Sequence, residues 1–281
     1  MSIKCQKQYQ ITISAPLIPK ELYFRMDAAS APWADSFGNA ALVPGSFDPP
    51  SNTTNGVGTL ATSTSGIISN GIVFPDGRHL SPSHYVNLET WVKTLAPVPY
   101  PANNGLSFSF WYNAIGGSFG NQNIEEFVVT VSGTDGLGNI IWSIAFEVFF
   151  PYSGSVSTIP PSSVGFIEAS VSGQSGVVTG PVTSLGAWHF IAVTYTQSSR
   201  SISLYLDGVL VGSAVTTFVA SVTSFTSYQA LSLTDWGFGD SAGPQLNISF
   251  DEFGAWLDHV LSPAEITTLW NGGAGSRPAG G

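Results

Sequence analysis

Charged side chains are scarce in this sequence of 281 residues: Asp, Glu, Lys and Arg together make up 9% of it, against about 25% in an ordinary globular protein. Eight residues are basic and 18 are acidic, which gives a formal net charge of −10. Outside the N-terminal segment the basic residues stand singly, whereas phosphate backbones and anionic lipid surfaces are bound by clustered cations. We therefore expect no nucleic-acid partner and no membrane insertion.

Cysteine and long apolar runs are also lacking. Cys5 is the single cysteine, so an internal disulfide is excluded, and with it a small disulfide-stapled scaffold. The longest apolar run, Ile140–Phe150, is too short to span a bilayer, contains Glu147 and is typical of a strand. The N-terminus begins with polar residues and has no continuous apolar stretch, so we expect no secretory signal.

What the sequence does have is a series of short β-type segments. Hydrophobic residues make up 43% of it, and 31 glycines and 18 prolines punctuate the chain. Apolar and polar residues alternate within the segments, and the dipeptide Asp207-Gly208 predicts a hairpin turn. This spacing predicts an all-β sandwich. The clearest predicted strands are Leu106–Asn113, Glu125–Val131, Ile140–Phe150, Trp188–Thr196, Ser201–Leu206, Val209–Ala214 and Leu246–Leu257.

One short helix is well specified near the C-terminus. Ser262 is suited to the N-cap, Pro263 to the first helical position and Glu265 to the third, which together form a capping box. Gly272 can end the helix in a left-handed conformation. We expect about two turns lying against the sandwich through one apolar face, formed by Ile266, Leu269 and Trp270.

Three pairs of segments form a distinctive pattern. They are Leu22–Asp27 with Ala34–Asn39, Trp188–Tyr195 with Leu204–Gly208, and Phe250–Phe253 with Leu261–Ile266. This pattern resembles the laminin-G-like branch of the concanavalin A-like lectin/glucanase superfamily. The resemblance spans about residues 21–275, and the middle of the chain, residues 114–181, departs from it through longer loops.

The resemblance implies a concanavalin A-like jelly-roll of two antiparallel sheets with one short C-terminal helix. Its concave face is often used for sugars or protein partners, many members are non-catalytic, and such domains occur in phage virion proteins. The domain organisation expected from it is an N-terminal arm at residues 1–20, a laminin-G-like domain at 21–275 and a C-terminal tail at 276–281.

The resemblance also implies a structural calcium ion near the opening turn and the closing strand. Asp35, Asn39 and Asp251 match those places, with carbonyls and water completing the six to eight oxygens that calcium takes. The alternative is that Asp35 and Asn39 make an Asx turn. Zinc is not indicated, because the four histidines and the one cysteine lack the spacing of zinc ligands.

Two tryptophans and two glutamates are the candidate carbohydrate-binding residues. Trp111 is expected to project outward, because its strand buries the alternate residues, and Trp236 lies in a predicted loop; both could stack on sugar rings, or instead fill the core or a subunit interface. Glu126 and Glu147 would lie diagonally on one sheet face if their hairpin closes around Asp135 and Gly136. Such a pair could serve a retaining glycoside hydrolase, or could simply be two separated carboxylates on a solvated face.

Catalysis is not the favoured interpretation. The sequence has no Gly-x-Ser-x-Gly nucleophile elbow and no Glu-x-Asp-x-Glu run of the kind that the laminarinase branch carries on one strand. We expect a non-catalytic virion protein that decorates a phage-like particle with a lectin-type domain. The alternatives are a glycan-binding adhesin at a cell surface or outside the cell and, less favoured, a glycoside hydrolase using Glu126 and Glu147.

The N-terminal arm is expected to bind other subunits, and a homo-oligomer is expected. Its apolar residues Tyr9, Ile11 and Ile13 alternate as in a strand, which Pro16 and Pro19 separate from the domain. The arm also holds three of the eight basic residues, Lys4, Lys7 and Lys20, on an acidic chain.

Overall fold

The structure is a computed structural model that describes most of the sandwich and its C-terminal helix. The described residues are 22–25, 27, 33–34, 36, 41–42, 61–62, 66–74, 85–86, 105–118, 124–134, 140–150, 158–159, 162–168, 175–181, 183–217, 227–232, 245–256 and 259–278. The predicted arm lies outside the described residues, and so do Asp35, Asn39 and Trp236.

The described elements are strands and, near the C-terminus, a helix. The strands are β1 (Leu22–Phe24), β2 (Trp33–Ala34), β3 (Ala41–Leu42), β4 (Ala61–Thr62), β5 (Ile72–Phe74), β6 (Tyr85–Val86), β7 (Gly105–Ser118), β8 (Ile124–Thr134), β9 (Ile140–Phe150), β10 (Thr158–Ile159), β11 (Ser162–Glu168), β12 (Ser175–Thr179), β13 (Thr183–Ser184), β14 (His189–Thr196), β15 (Ser201–Leu206), β16 (Val209–Val215), β17 (Ser227–Ser232) and β18 (Gln245–Trp256). The helix is α1 (Pro263–Trp270), followed by a short 3₁₀ turn (Asn271–Gly273).

These strands form two large sheets and two small ones. The eight-stranded sheet has the order β16-β15-β14-β7-β18-β5-β4, and β1 also pairs with β18; the six-stranded sheet has the order β12-β11-β9-β8-β17-β6. The two-stranded sheets pair β10 with β13 and β2 with β3. The described pairings are antiparallel, which confirms the predicted all-β sandwich with one short helix.

The main core lies between the two large sheets. Alternate residues of β7, including Phe108 and Phe110, are fully buried on the face towards the six-stranded sheet. The Phe110 ring meets the Phe146 ring of β9 edge-on, with centroids 5.5 Å apart. Other buried apolar residues of this core, assigned by the strand register, are Leu106, Tyr112, Ile144, Ile191, Val193, Ile202, Leu204 and Phe250.

A second apolar cluster covers the opposite, outer face of the eight-stranded sheet. Helix α1 packs there through Ile266 and Leu269, as the sequence predicts. The strand residues beneath the helix are the alternates of those in the main core, so the part of the sheet beneath α1 is buried on both faces. The cluster's other members are Tyr23, Trp111, Phe190, Ala192, Tyr205, Trp256 and Leu261.

The predicted capping box is present at the start of α1. The Ser262 side chain accepts a hydrogen bond from the Glu265 N–H at 3.3 Å, and the Glu265 carboxylate accepts one from the Ser262 N–H at 2.7 Å. The helix ends at Asn271 rather than at Gly272, because Asn271 already takes the left-handed conformation (φ 48°) and its amide donates to the Gly275 carbonyl. No helix among the described residues is long and apolar enough to cross a membrane.

Replacing Ser262 with alanine should lower the free energy of unfolding by about 1 kcal/mol, because the backbone N–H of Glu265 loses its acceptor. Urea denaturation of the wild type and of Ser262→Ala measures this difference. Ser262→Asp is a suitable comparison, since aspartate also caps a helix and should retain most of the stability. Equal unfolding midpoints for wild type and alanine variant would contradict a contribution from the capping box.

Candidate functional site

The outer face of the six-stranded sheet is defined by the register of β8, β9 and β11. Ile144 and Phe146 of β9 are fully buried towards the main core, so the alternate positions of that strand belong to the outer face. Those positions form four rows across the sheet. The rows are Gln229, Ser132, Ser143 and Ile167; Ser232, Thr130, Ala145 and Gly165; Phe127, Glu147 and Ser163; and Glu125 and Phe149.

The predicted pairing of Glu126 with Glu147 on one face is wrong. The register sets Glu126 opposite Val148 and Glu147 opposite Phe127. Glu147 and Val148 are successive residues, so the two glutamate positions belong to opposite faces of the sheet. A bulge at Val128, between the Phe127 and Val129 pairings, shifts Glu126 by one position relative to its partner strand. The register therefore separates Glu126 from Glu147, whereas Glu125, which lies opposite Phe149, is on the same face as Glu147 and diagonal to it.

The expectation that Trp111 projects into solvent is also wrong. Trp111 does lie on the face of β7 opposite Phe110, as the alternation predicts, but it is only 2% exposed. Its ring packs against Phe190 with centroids 5.3 Å apart, within the cluster beneath α1. Trp111 is therefore a core residue and cannot stack on a sugar ring. Trp236, the second predicted stacking residue, lies outside the described residues.

Asp251, a predicted calcium ligand, is fully buried on β18. Its Oδ2 accepts backbone hydrogen bonds from Ile67 at 2.8 Å and Ile68 at 3.4 Å, and its Oδ1 accepts one from Glu252 at 2.9 Å. The chain approaches this carboxyl closely, because a β-carbon on Gly66 would lie 2.5 Å from Oδ2. Asp251 therefore anchors the segment 66–71 to the sheet.

The calcium site predicted from Asp35, Asn39 and Asp251 stays a prediction. Both carboxyl oxygens of Asp251 accept backbone N–H groups, so other groups would have to supply most of the six to eight oxygens that calcium takes. No group of three or more metal-binding side chains is present among the described residues. The other two residues of the predicted set, Asp35 and Asn39, lie outside that part of the chain.

Glu252 lies beside Asp251 and is bound by an arginine from the C-terminal segment. A β-bulge in β18 and a left-handed backbone at Glu252 (φ 50°) allow both acidic residues to be buried. The Arg277 guanidinium donates to Glu252 Oε1 at 2.8 Å and 2.5 Å, and to the Asp27 carboxylate at 3.0 Å and 2.9 Å. Arg277 thus joins β18 to the segment that follows β1.

Burial of Asp251 and Glu252 makes the stability of the folded protein depend on pH. Burial, followed by the neighbouring Glu252, raises the pKa of Asp251 to about 8 in spite of its three backbone donors. Burial likewise raises the pKa of Glu252, which Arg277 partly offsets. A carboxyl whose folded pKa is raised favours the folded state while it is protonated, and this stability is lost as the pH rises through the folded pKa.

We therefore expect the melting temperature to fall as the pH rises from about 5 to about 8 and to level off above that, because the contribution of Asp251 is lost between the ordinary carboxyl pKa and its folded pKa of about 8. Thermal unfolding followed by circular dichroism across this range measures the effect. Asp251→Asn removes the titrating group and should flatten the profile, even if the variant is less stable at every pH. A wild-type profile that rises over this range, or an equally steep Asp251→Asn profile, would contradict the assignment.

Sequence reasoning missed a hydrogen-bonded cluster of Ser184, His189 and Asp207. His189 Nδ1 lies 2.9 Å from Asp207 Oδ2, and His189 Nε2 lies 3.3 Å from Ser184 Oγ. Asp207 Oδ1 accepts the backbone N–H of Phe190 at 2.9 Å, so the cluster ties the β15–β16 turn to β14. The hairpin pairing of Ile191 with Leu206 could have indicated it, because that pairing brings Asp207 beside Phe190.

The chain matches one known protein family over most of its length. Residues 69–267 match the laminin G family model of the concanavalin A-like lectin/glucanases superfamily. The match covers more than half of the chain, and the protein belongs to this family. Its fold is therefore lectin-like. No curated protein sequence is similar enough to the chain to count as a match.

Several solved structures are similar to the chain at low identity. The binding domain of Paraclostridial Mosquitocidal Protein 1 has 14% identity and a TM-score of 0.48, over 89% of this chain and 51% of the other. Domain 4 of the arabinanase AbnA from Geobacillus stearothermophilus, in complex with arabinotriose, has 17% identity and a TM-score of 0.45, over 88% and 95%. The botulinum neurotoxin serotype D binding domain has 10% identity and a TM-score of 0.49, over 90% and 51%. This chain spans about half the length of the two toxin chains, and similarity at this level carries no argument about its ligand.

Proposed function

We propose that this protein is a non-catalytic, lectin-type binding domain whose ligand is a neutral glycan held on the outer face of the six-stranded sheet. The observation that carries the proposal is the composition of the four rows on this face of β8, β9, β11 and β17. Among their positions Glu125 and Glu147 are ionisable, Phe127, Phe149 and Ile167 are large and apolar, and the others are Ser, Thr, Gln and small residues. Hydroxyl and amide groups both donate and accept hydrogen bonds, as sugar hydroxyls do.

The other large sheet supports this choice of face. Its outer face carries α1 and the apolar cluster beneath it, so the part of that face beneath the helix is not available for a ligand. The six-stranded sheet keeps its apolar residues Ile144 and Phe146 on the inner face. A net charge of −10 disfavours anionic polysaccharides and favours neutral ones.

A non-catalytic role is favoured by the sequence, which has no Glu-x-Asp-x-Glu run and no Gly-x-Ser-x-Gly nucleophile elbow. The Ser184–His189–Asp207 cluster has the hydrogen-bond order of a hydrolytic triad. Its aspartate, however, lies in the tight turn between β15 and β16 and accepts a backbone N–H, which favours a structural role.

We therefore expect that a fluorophosphonate probe, which reacts with activated serine hydroxyls, does not label Ser184. Stoichiometric labelling that is lost in Ser184→Ala would contradict this.

A glycan array with the full chain tests the proposal, with analysis of the bound sugars afterwards. The expected result is selective binding of one class of neutral glycan, recovered with its chain length unchanged. Absence of binding across neutral glycans would contradict the lectin-type function. Shortened sugars whose release is abolished by Glu147→Gln would favour the hydrolase instead.

The setting that we propose for this domain is the surface of a phage-like particle, to which the segment 1–20 attaches it. The segment supports this by its sequence: it alternates as a strand, ends in Pro16 and Pro19, and is cationic on an acidic chain. Deletion of residues 2–19 should leave the melting temperature nearly unchanged but abolish incorporation into particles. A truncated chain that unfolds, or that is still incorporated, would contradict the attachment role.

A further inference from the structure

The described large apolar side chains that remain exposed are concentrated on two strands. They are Val177 of β12 and Val209, Leu210 and Val215 of β16, with exposures from 46% to 66%. Strand β16 is the edge of the eight-stranded sheet, and β12 is the edge of the six-stranded sheet. An exposed apolar patch of this kind marks an interaction surface.

The two edge strands lie side by side, and we call this side of the sandwich, with Val177, Val209, Leu210 and Val215, the β12/β16 rim. By the register, Leu210 and Val215 lie on the outer face of the eight-stranded sheet, and Val177 lies on the outer face of the six-stranded sheet. A β-carbon on Gly212 of β16 would lie 3.2 Å from Cγ1 of Val178 of β12. The N–H of Thr217, just after β16, donates to Ser175 Oγ at 3.2 Å. The rim is therefore one continuous side of the sandwich.

Strand β16 lacks the commonest features that keep an edge strand from pairing. Its sequence, Val-Leu-Val-Gly-Ser-Ala-Val, contains no charged residue and no proline, and its pairing with β15 has one bulge, next to Val211. An edge strand of this length presents backbone N–H and C=O groups that another strand can pair with. In a chain of net charge −10, an uncharged strand is also where two copies can approach with least repulsion.

The charges at the two ends of β16 determine which partner fits. Arg200 lies at the Val215 end, where its carbonyl accepts the Thr216 N–H at 2.9 Å. Asp207 lies at the other end, in the turn that leads to Val209. Two copies related by a two-fold axis pair their β16 strands antiparallel, which brings Arg200 of each copy towards Asp207 of the other.

We propose that the β12/β16 rim is a homodimer interface, in which β16 pairs antiparallel with β16 of a second copy and extends the eight-stranded sheet across a two-fold axis. The exposed apolar residues of β16 are brought against the second copy, and the Arg200 and Asp207 ends are complementary. This association needs no glycan, so it goes beyond the proposed binding function and does not depend on it.

Sedimentation of the full chain between about 1 and 100 μM tests the interface. Two variants place charges of opposite sign on β16, so that the result does not depend on the exact register between the two β16 strands. One variant carries Leu210→Lys and Val215→Lys, and the other carries Leu210→Glu and Val215→Glu. Both positions are more than half exposed, so the variants should melt close to wild type. The control, Ala264→Lys with Thr267→Lys, adds the same charges at exposed positions of α1.

The wild type and the control should sediment at twice the monomer mass of 29.5 kDa. Each rim variant alone should be monomeric, with self-association at least tenfold weaker, and an equimolar mixture of the two should form the heterodimer. A monomeric wild type at 100 μM, dimers unaffected by the rim charges, or rim variants that fail to associate when mixed would each overturn the proposal. Loss of the dimer on deleting residues 2–19 would also overturn it, because the rim would then be a docking site for the N-terminal segment.

Discussion

Replacing Arg277 with methionine should lower the free energy of unfolding by about 3 kcal/mol, because removal of one partner leaves a buried charge uncompensated. Glu252 is only 1% exposed, whereas the Arg277 side chain is 22% exposed. The Arg277 guanidinium also joins Asp27 to Glu252, so its loss releases the C-terminal segment from the start of the domain. Chemical denaturation of the full chain at pH 7 measures the effect.

Two control variants separate loss of charge compensation from loss of packing. Glu252→Gln combined with Arg277→Met removes both charges and should regain most of the lost stability, since a neutral replacement of a buried ion pair costs little. Thr268→Met introduces the same side chain at an exposed position of α1 and should change stability by less than about 0.5 kcal/mol. An Arg277→Met variant as stable as Thr268→Met would contradict the compensating role.

Phe110→Ala should be the most destabilising single truncation in the main core, with a loss of about 3–5 kcal/mol in the free energy of unfolding. Phe110 is fully buried and its ring contacts those of Phe108, Phe146 and Phe250, so the change opens a cavity where the two sheets meet. Urea denaturation measures the loss. Phe110→Leu keeps most of the volume and should lose clearly less; similar values for the two variants would contradict the cavity explanation.

Local sequence signals predicted the elements that depend on local contacts. The alternation in Ile140–Phe150 predicted β9 with its observed bounds, because a strand with one buried face has a period of two. Ser262, Pro263 and Glu265 predicted the start of α1, because a capping box is formed by residues that are close in sequence. The arrangement of these elements in two sheets was predicted from the family resemblance.

The site expectations that proved wrong depended on contacts between distant segments. Alternation placed Trp111 correctly on the face opposite Phe110, but it could not indicate that α1, about 150 residues later, covers that face. The bulge at Val128 has no glycine or proline to signal it, so the shift of Glu126 to the other face was not predictable.

The buried acidic pair was missed for the same reason. Two of the three backbone N–H groups that bind the Asp251 carboxyl belong to Ile67 and Ile68, more than 180 residues earlier. Arg277 lies 250 residues from Asp27 and 25 from Glu252. Sequence periodicity reports which side of a strand a residue occupies, and it carries no information about which distant segment covers that side.

The measurement that tests the central claim most directly is calorimetric titration of the strongest glycan from the array into matched variants. Ala145 is at the centre of the outer face of the six-stranded sheet, in the row with Thr130 and Gly165, and Ala264 is exposed on α1. If that face is the binding surface, Ala145→Arg should weaken affinity at least tenfold, and Ala264→Arg should bind as the wild type does. Unchanged affinity in a folded Ala145→Arg variant would contradict the account.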